Sequence, residues 1–148
     1  MENKAVPNRE RNGPLTESRQ RPKGVLARGV EAMRAWLMEG YEGVESLRLD
    51  EVPDPQPGLE QVLLRVKFAA LNPADAFLAR RMYPANPSLP HILGRDGVGE
   101  IEAVGPGVEN VCVGETVGIL RCEVGVEQWG TLAEKVVVPA KSVARIPT

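Results

Sequence analysis

The sequence has few of the side chains that build metal centres and disulfide frameworks. Its 148 residues include two cysteines, Cys112 and Cys122, and a single histidine, His91. A disulfide-stabilised secreted domain needs several cysteine pairs, and a closed zinc site made from cysteine and histidine needs four such ligands. Both classes are therefore excluded. We interpret the cysteines as ordinary thiols and His91 as a structural or surface residue, and we expect a reducing, cytoplasmic location.

Long apolar segments are also absent. No run of about 18 apolar residues occurs, so no membrane-spanning helix is predicted. The N-terminal 24 residues combine Asn, Arg, Pro, Glu and Gln with hardly any bulky apolar side chains. Such a segment buries too little surface to offset the entropy lost on ordering its backbone. We therefore predict a disordered N-terminal extension over residues 1–32 and one folded domain over residues 33–148.

An excess of positive charge is missing from the predicted domain. Residues 1–32 hold seven Lys or Arg against four Glu, whereas residues 33–148 hold 11 basic and 16 acidic side chains. A domain with this acidic balance offers no electrostatic attraction to nucleic acid or to anionic lipid. The charge balance therefore argues against partners of both kinds.

The apolar pattern that is present indicates a β-rich fold. Alternating apolar residues predict strands over 34–39, 46–52, 60–71, 97–105, 116–120, 130–139 and 142–147, and helical composition predicts a helix over 73–81. The strand 60–71 is the strongest of these, with Val62, Leu64, Val66 and Phe68 on one face. The proline-rich segments 53–58 and 83–94 are predicted loops. The expected fold class is mainly β, a partly open antiparallel β-barrel with one or two short helices.

The segment "GVGEIEAVG" at residues 97–105 resembles a nucleotide-binding loop only superficially. Gly97 and Gly99 fit the first two glycines of G-x-G-x-x-G, but Glu102 occupies the third position, and a strand pattern follows instead of a helix. We interpret these glycines as positions where a strand bends around a small barrel.

The segment "LNPAD" at residues 71–75 has two interpretations that its local chemistry leaves open. Asn72 is a favoured N-cap residue, Pro73 suits the first helical position, and Asp75 can close a capping box. The second interpretation is a catalytic corner, and both hold if Asn72 caps the helix through one amide atom and offers the other to a bound cofactor.

Three motifs, "AALNPADAFL", "LGRDGVGEIEAVGPGVENVCVGETV" and "GTLAEKVVVPAKSVARIP", occur in this order. In this combination the chain resembles the GroES-like catalytic domain of the medium-chain dehydrogenases/reductases, in the zinc-independent quinone oxidoreductase-like branch. The resemblance covers residues 33–148. It implies a GroES-like fold and an oxidoreductase that uses NAD(P)H to reduce a quinone, an enone or an aldehyde without a metal ion.

The same resemblance argues against zinc. Zinc-dependent relatives carry a cysteine ligand where this chain has Asn72, and a Gly-His-Glu triplet where it has Gly94, Arg95 and Asp96. Neither an amide nor a guanidinium can replace a thiolate or an imidazole, because Arg offers only donors and stays charged. The lobe that holds a structural zinc in those relatives has four cysteines, and the corresponding segment here holds Cys122 alone.

The site residues expected from the resemblance lie in and after "LNPAD". It implies catalytic roles for Asn72 and Asp75, contacts to the cofactor from Asn72, Phe77 and Tyr83, and contacts to the substrate from Tyr83 and Arg95. Relatives usually have a tyrosine at the position of Phe77, so an apolar wall is expected there without its phenolic hydrogen bond. The purely structural alternatives are a surface ion pair for Arg95 and packing beneath the proline-rich loop for Tyr83.

The resemblance also implies that a dinucleotide-binding domain is absent from this sequence, because in relatives it follows the equivalent of "RIPT". We expect the chain alone to be folded and inactive, as part of a longer enzyme. The competing interpretation is a non-enzymic GroES-like binding or co-chaperone-like module. A homodimer of a full-length protein is compatible with the resemblance, although these residues do not set the oligomeric state.

Overall fold

The computed structural model describes residues 29–147 and shows a mainly β protein. The strands are β1 Ala32–Met38, β2 Arg48–Pro53, β3 Gln61–Ala70, β4 His91–Ile92, β5 Asp96–Val104, β6 Thr116–Ile119, β7 Lys135–Pro139 and β8 Val143–Arg145. One α-helix, α1 Pro73–Ala79, follows β3, and two single-turn 3₁₀ helices span Val44–Ser46 and Ala140–Ser142.

The strands form two antiparallel sheets. The smaller sheet has the order β2-β1-β4, and the larger sheet has the order β7-β3-β5-β6-β8. The two edge strands of the larger sheet, β7 and β8, do not pair with each other, so the barrel stays open. The predicted fold class, a partly open antiparallel β structure with one or two short helices, is confirmed.

The main apolar core lies against the larger sheet, and we call it the barrel core. Its strands bury alternate residues because successive side chains point to opposite faces of a sheet. Val62 and Leu64 of β3 lie beside Val138 and Val136 of β7 in the strand register. The buried members of the core are Val62, Leu64, Ile101, Val111, Val117, Val124, Val136, Val138, Ala140 and Val143.

The second half of β3 leaves this core, which corrects the predicted apolar face. Val62 and Leu64 are buried as expected, but Phe68 is 74% exposed. The pairing of β3 with β5 shifts twice, and one shift lies between Val66 and Phe68. An extra residue in one strand turns the following side chains away from their expected face.

Gly99 lies opposite this irregular part of β3. A Cβ atom on Gly99 would lie 2.6 Å from the carbonyl oxygen of Arg65, closer than a side chain tolerates. Only glycine therefore allows the two backbones to approach this closely. This explains why the bent strand has a glycine at this position.

Two predicted segments differ from the structure. Residues 83–94, predicted as a loop, contain β4, which is only two residues long and pairs with β1. Residues 130–134, predicted as the start of a strand, connect the two sheets instead. The N–H of Trp36 in β1 donates to the carbonyl of Leu132 at 2.9 Å, and the N–H of Val66 in β3 donates to that of Glu134 at 2.9 Å.

The predicted N-terminal extension falls mostly outside the described residues, so its disorder stays a prediction. β1 begins at Ala32, one residue before the predicted domain boundary, and the carbonyl of Glu31 already accepts a hydrogen bond from the N–H of Asp54. Within the described part of the chain, no helix is both long enough and apolar enough to cross a membrane.

Candidate active site

The turn from β3 into α1 places Asn72 at the start of the helix. Asn72 has extended backbone angles, and Pro73 occupies the first helical turn, where its missing N–H removes no hydrogen bond. The backbone N–H of Asn72 donates to Oδ2 of Asp75 at 2.9 Å, which is the reciprocal bond of a capping box. The predicted helix start at Asn72 is therefore observed.

Asp75 connects this helix to the segment between β4 and β5. Its side chain is buried, with only 5% of the residue exposed, and its second oxygen accepts the N–H of Gly94 at 3.1 Å. Both carboxylate oxygens thus bind backbone N–H groups from different parts of the chain. A buried carboxylate satisfied in this way fixes the position of the two segments relative to each other.

Gly94 can take this position only because it lacks a side chain. Its φ angle is 99°, in the left-handed region, and a Cβ atom there would lie 2.4 Å from Oγ1 of Thr131. The glycine places Arg95 and Asp96 next to the start of α1. The side-chain Nδ2 of Asn72 donates to Oδ2 of Asp96 at 2.7 Å, which holds the amide in one orientation.

Asn72 lies between two cavities. The first, which we call the apolar cavity, has a volume of about 600 Å³ and borders on Asn72, Asp75 and Ala76. Its walls are mostly apolar side chains from both sheets, from the start of α1 and from the segments that join them, including Trp36, Leu47, Leu71, Leu93 and Leu132. Trp36 and Leu71 are exposed, so this wall is open to a ligand or to another domain.

The second cavity, which we call the polar cavity, lies on the other side of Asn72 and has a volume of about 370 Å³. Its lining comprises Asn72, Pro73, Ala74, Arg95, Asp96, Arg121 and Cys122. It therefore combines an amide, a carboxylate, two guanidinium groups and a thiol. Such a set can bind a polar group of a ligand whose apolar part lies beside it.

The structure brings Tyr83 and Arg95 together. Nη1 of Arg95 donates to the phenolic oxygen of Tyr83 at 3.1 Å, and the guanidinium carbon lies 5.3 Å from the centre of the Tyr83 ring. This hydrogen bond raises the pKa of Arg95 above its ordinary value. Tyr83 packs in turn on the apolar cluster that includes Leu78 and Leu93. No carboxylate of residues 29–147 lies within ion-pair distance of Arg95, so the surface ion pair is not observed in this part of the chain.

The other predicted residues differ in their positions. Phe77 is half exposed and lines neither cavity, so the structure does not bring it to Asn72 and the expected apolar wall is not formed by this side chain. His91 is buried in β4, as expected for a structural histidine, and its Nε2 has no hydrogen-bond partner among the described residues.

Three residues of the site were not singled out by the sequence. Trp36 and Leu71 form apolar walls from separate elements, and Arg121 reaches the polar cavity from the segment after β6. Trp36 and Arg121 lie far along the chain from "LNPAD", and Leu71 lies inside it but matches no functional motif. The one sequence signal at Arg121 is a cation directly after a predicted strand, and this signal alone does not indicate a site.

Metal donors are sparse around Asn72. Among residues 29–147, no group of three His, Cys, Asp or Glu side chains is arranged to hold a metal ion. The residues at the positions expected for zinc ligands, Asn72 and Arg95, donate hydrogen bonds to Asp96 and Tyr83. Their chemistry does not fit a zinc ion, which requires thiolate, imidazole or carboxylate donors.

Comparison with known proteins relates this geometry to a family. Residues 58–148 match the alcohol dehydrogenase GroES-like domain. The chain is 36% identical over 120 residues to the NADPH-dependent alkenal/one oxidoreductase of Arabidopsis thaliana chloroplasts, covering 78% of this chain and 31% of that protein. It is also 36% identical over 93 residues to the quinone oxidoreductase of Rattus norvegicus, covering 62% of this chain and 28% of that protein.

A solved structure shares the fold. The cobalt- and zinc-bound thermostable alcohol dehydrogenase from Pyrobaculum aerophilum superposes with a TM-score of 0.70 at 33% identity, covering 78% of this chain and 41% of that one. The chain thus spans between 28% and 41% of the length of these three relatives. By its sequence motifs and its fold, the chain belongs to the alcohol dehydrogenase GroES-like domain family of the medium-chain dehydrogenases/reductases.

Proposed function

We propose that this chain is the catalytic domain of a cytoplasmic, metal-free NAD(P)H-dependent oxidoreductase that reduces a quinone, an enone or an aldehyde. The observation that carries the proposal is the position of Asn72, which is fixed by Asp96 between an apolar and a polar cavity. The relatives named as alkenal/one and quinone oxidoreductases support this class of substrate.

The apolar cavity fits the nicotinamide end of the cofactor and the carbon skeleton of the substrate. Its volume is about 600 Å³ and its lining is mostly apolar. The side chains of Trp36 and Leu71 in this lining are exposed, so the cavity is accessible. The cofactor supplies the hydride in this chemistry, while the protein orients the reactants and excludes water. Walls from both sheets hold this cavity in shape.

Asn72 contributes a directed hydrogen bond at the boundary between the cavities. Its Nδ2 carries two hydrogens, one of which bonds Asp96, so the second can donate to a carbonyl oxygen of the substrate or to the carboxamide of the nicotinamide. A donor already held in place needs little reorganisation when negative charge develops on that oxygen. Capping and ligand binding are therefore compatible roles of the same side chain.

Tyr83 and Arg95 form the substrate-binding pair of the proposal. The phenolic oxygen of Tyr83 uses one of the five N–H donors of Arg95, and the remaining donors can face the polar cavity. We assign Asp75 a positioning role, because both of its oxygens accept backbone N–H groups and it holds Asn72 and Gly94 together.

The test replaces Asn72 by Ala in the full-length protein and follows NADPH oxidation with a quinone, an enone and an aldehyde. The loss of the helix cap is expected to lower the free energy of unfolding by roughly 0.5–2 kcal/mol. Turnover per folded molecule is also expected to fall, because the donor to the ligand is lost, in a preparation that contains no stoichiometric zinc.

The matched control is Asn86→Ala, since Asn86 is exposed and lines neither cavity. This variant should keep the turnover of the unchanged protein. If Asn72→Ala lowers stability while turnover per folded molecule is unchanged, Asn72 is only a helix cap. If the unchanged protein oxidises NADPH with none of the three acceptors, the non-enzymic binding module is the better assignment.

A further inference from the structure

The Lys and Arg side chains of the described residues differ in whether they pair with a carboxylate. Residues 29–147 contain 11 Lys and Arg side chains, and seven of them lie within ion-pair distance of a carboxylate, namely Arg34, Arg48, Arg65, Lys67, Arg80, Lys135 and Arg145. The other four are Arg81, Arg95, Arg121 and Lys141. Pairing with a carboxylate is thus the rule on this surface, and the exceptions are informative.

Two of these four exceptions, Arg95 and Arg121, line the same polar cavity. Arg95 is held there by the neutral phenol of Tyr83 rather than by a carboxylate. The one acidic side chain of the lining, Asp96, binds the amide of Asn72. The cavity therefore carries two positive charges against one negative charge, beside the residue that we place at the reacting carbonyl.

Guanidinium groups are planar and present paired N–H donors that match the oxygen atoms of carboxylates and phosphates. We propose that the polar cavity binds an anionic group, a carboxylate or a phosphate, of the molecule that reacts beside Asn72. The part of the substrate or cofactor that binds here therefore carries a negative charge. A substrate bound here is then not a simple neutral enone or quinone. The inference rests on the proposed function for its location, since that function makes the apolar cavity the reacting one.

Cys122 provides a reporter inside the polar cavity. Its thiolate can be alkylated by iodoacetate, which is anionic, or by iodoacetamide, which is neutral and nearly the same size. In each reaction a sulfur–carbon bond forms, iodide leaves, and the thiol proton passes to solvent. Because the same thiolate attacks both reagents, the ratio of the two rate constants cancels the thiolate fraction and measures the preference for the anion.

The experiment measures this ratio at low salt in the 148-residue chain by mass spectrometry of the alkylated peptides. The exposed Cys112, which lies outside the cavity, gives the reference ratio in the same sample. The Arg121→Gln variant is expected to lower the ratio at Cys122 by roughly twofold to fivefold, the size of a partly solvated charge interaction. Arg95→Gln should lower it in the same direction.

Arg81→Gln is the matched control, because Arg81 is also exposed and without a carboxylate partner but stacks on Tyr41 away from the cavity. It should leave the ratio at Cys122 unchanged. An equal fall in all three variants would mean a general effect of net charge and would overturn the proposal. So would an unchanged ratio in both cavity variants.

A second measurement decides the outcome independently of the reactivity of Cys122. NMR titrations of the same chain with succinate and with inorganic phosphate follow the Nε–Hε signals of Arg95 and Arg121. Saturable shifts with succinate indicate a carboxylate-bearing substrate, and saturable shifts with phosphate alone indicate a phosphate group of the substrate or cofactor. The absence of saturation with both anions contradicts the site.

Neither measurement needs a cofactor or turnover. The anion site can therefore fail while Asn72→Ala still lowers turnover, and it can be confirmed even if none of the three acceptors is reduced. The two proposals are thus separable by experiment.

Discussion

The barrel core and the region around α1 are built from different kinds of side chain. All ten buried members of the barrel core are aliphatic. The region around α1 and β4, which we call the helix-side region, buries the apolar residues Met38, Leu78 and Leu93 together with the polar residues Asp75, His91 and Thr131. Of the four buried polar residues among the described ones, only Ser142 lies beside the barrel core.

This difference indicates that one region of the domain serves mainly stability and the other mainly the candidate site. Burying a polar group costs free energy unless it forms hydrogen bonds, so a chain gains nothing for stability by placing carboxylates and imidazoles inside. The helix-side region nevertheless buries them, directly beside Asn72 and Gly94. We infer that the barrel core supplies most of the folding free energy and that the helix-side region holds the site in its geometry.

The largest expected loss of stability comes from a mutation in the barrel core. Leu64 is fully buried in β3, so Leu64→Ala removes apolar contacts and leaves a cavity, and the free energy of unfolding should fall by about 2–5 kcal/mol. The matched control is Leu49→Ala in β2, where the residue is 50% exposed and the expected loss is below about 1 kcal/mol. Urea unfolding followed by circular dichroism measures both variants. Equal losses would mean that the barrel core is not the main source of stability.

A smaller effect is expected from the buried carboxylate of the helix-side region. Asp75→Asn keeps the volume but replaces one acceptor oxygen by an amide that cannot accept the N–H of Asn72 or Gly94. One buried N–H then lacks its partner, and we expect a loss of about 1–3 kcal/mol in the free energy of unfolding.

The matched control is Asp50→Asn on β2, whose carboxylate lies in a half-exposed ion pair with Arg48. Urea unfolding should show a change of at most about 1 kcal/mol for this variant. If the two variants lose the same stability, the carboxylate of Asp75 does not brace the site.

The sequence predicts the two regions to different extents. The period of two in β3 places Val62 and Leu64 on one face, as predicted, because every second residue of a strand faces the same side, although Leu63 between them is also apolar and buried. The same rule fails at Phe68, since the bulge that exposes it depends on the pairing of β3 with β5 and leaves no mark in β3 itself. β4 has only two residues, which are too few to identify a strand from the apolar pattern of the sequence.

The candidate site shows the same limit. "LNPAD" identifies the cap at Asn72 and Asp75 because capping is local, within one helical turn. The cavities are not local, since Trp36 and Leu93 reach the apolar cavity, and Arg121 reaches the polar cavity, only once the chain has folded. A pair such as Tyr83 and Arg95 was reached through family resemblance, whereas Arg121 required the folded structure.

The smallest expected effect is a pH dependence that belongs to the helix-side region alone. His91 is 1% exposed, and burial lowers the pKa of its imidazole from 6.5. The unfolded chain therefore takes up a proton near pH 6.5 that the folded chain does not yet accept. Stability contributed by the neutral imidazole is fully present above about pH 6.5 and declines as the pH falls toward the folded pKa, with a slope of at most about 1.4 kcal/mol per pH unit.

The window from pH 7 to about pH 5.5 isolates this titration, because His91 is the single histidine of the chain and the displaced glutamate pKa values, those of Glu102, Glu115 and Glu134, are lowered from 4.5, so these groups affect stability only below this window. Urea unfolding at pH 7, 6 and 5.5 should show a decline for the unchanged chain and a flat profile for His91→Gln, whatever the absolute stability of that variant. Leu64→Ala keeps the imidazole, so it should lose stability at every pH while keeping the same slope. A slope that persists in His91→Gln would place the titrating group outside the helix-side region and remove the electrostatic contrast between this region and the barrel core.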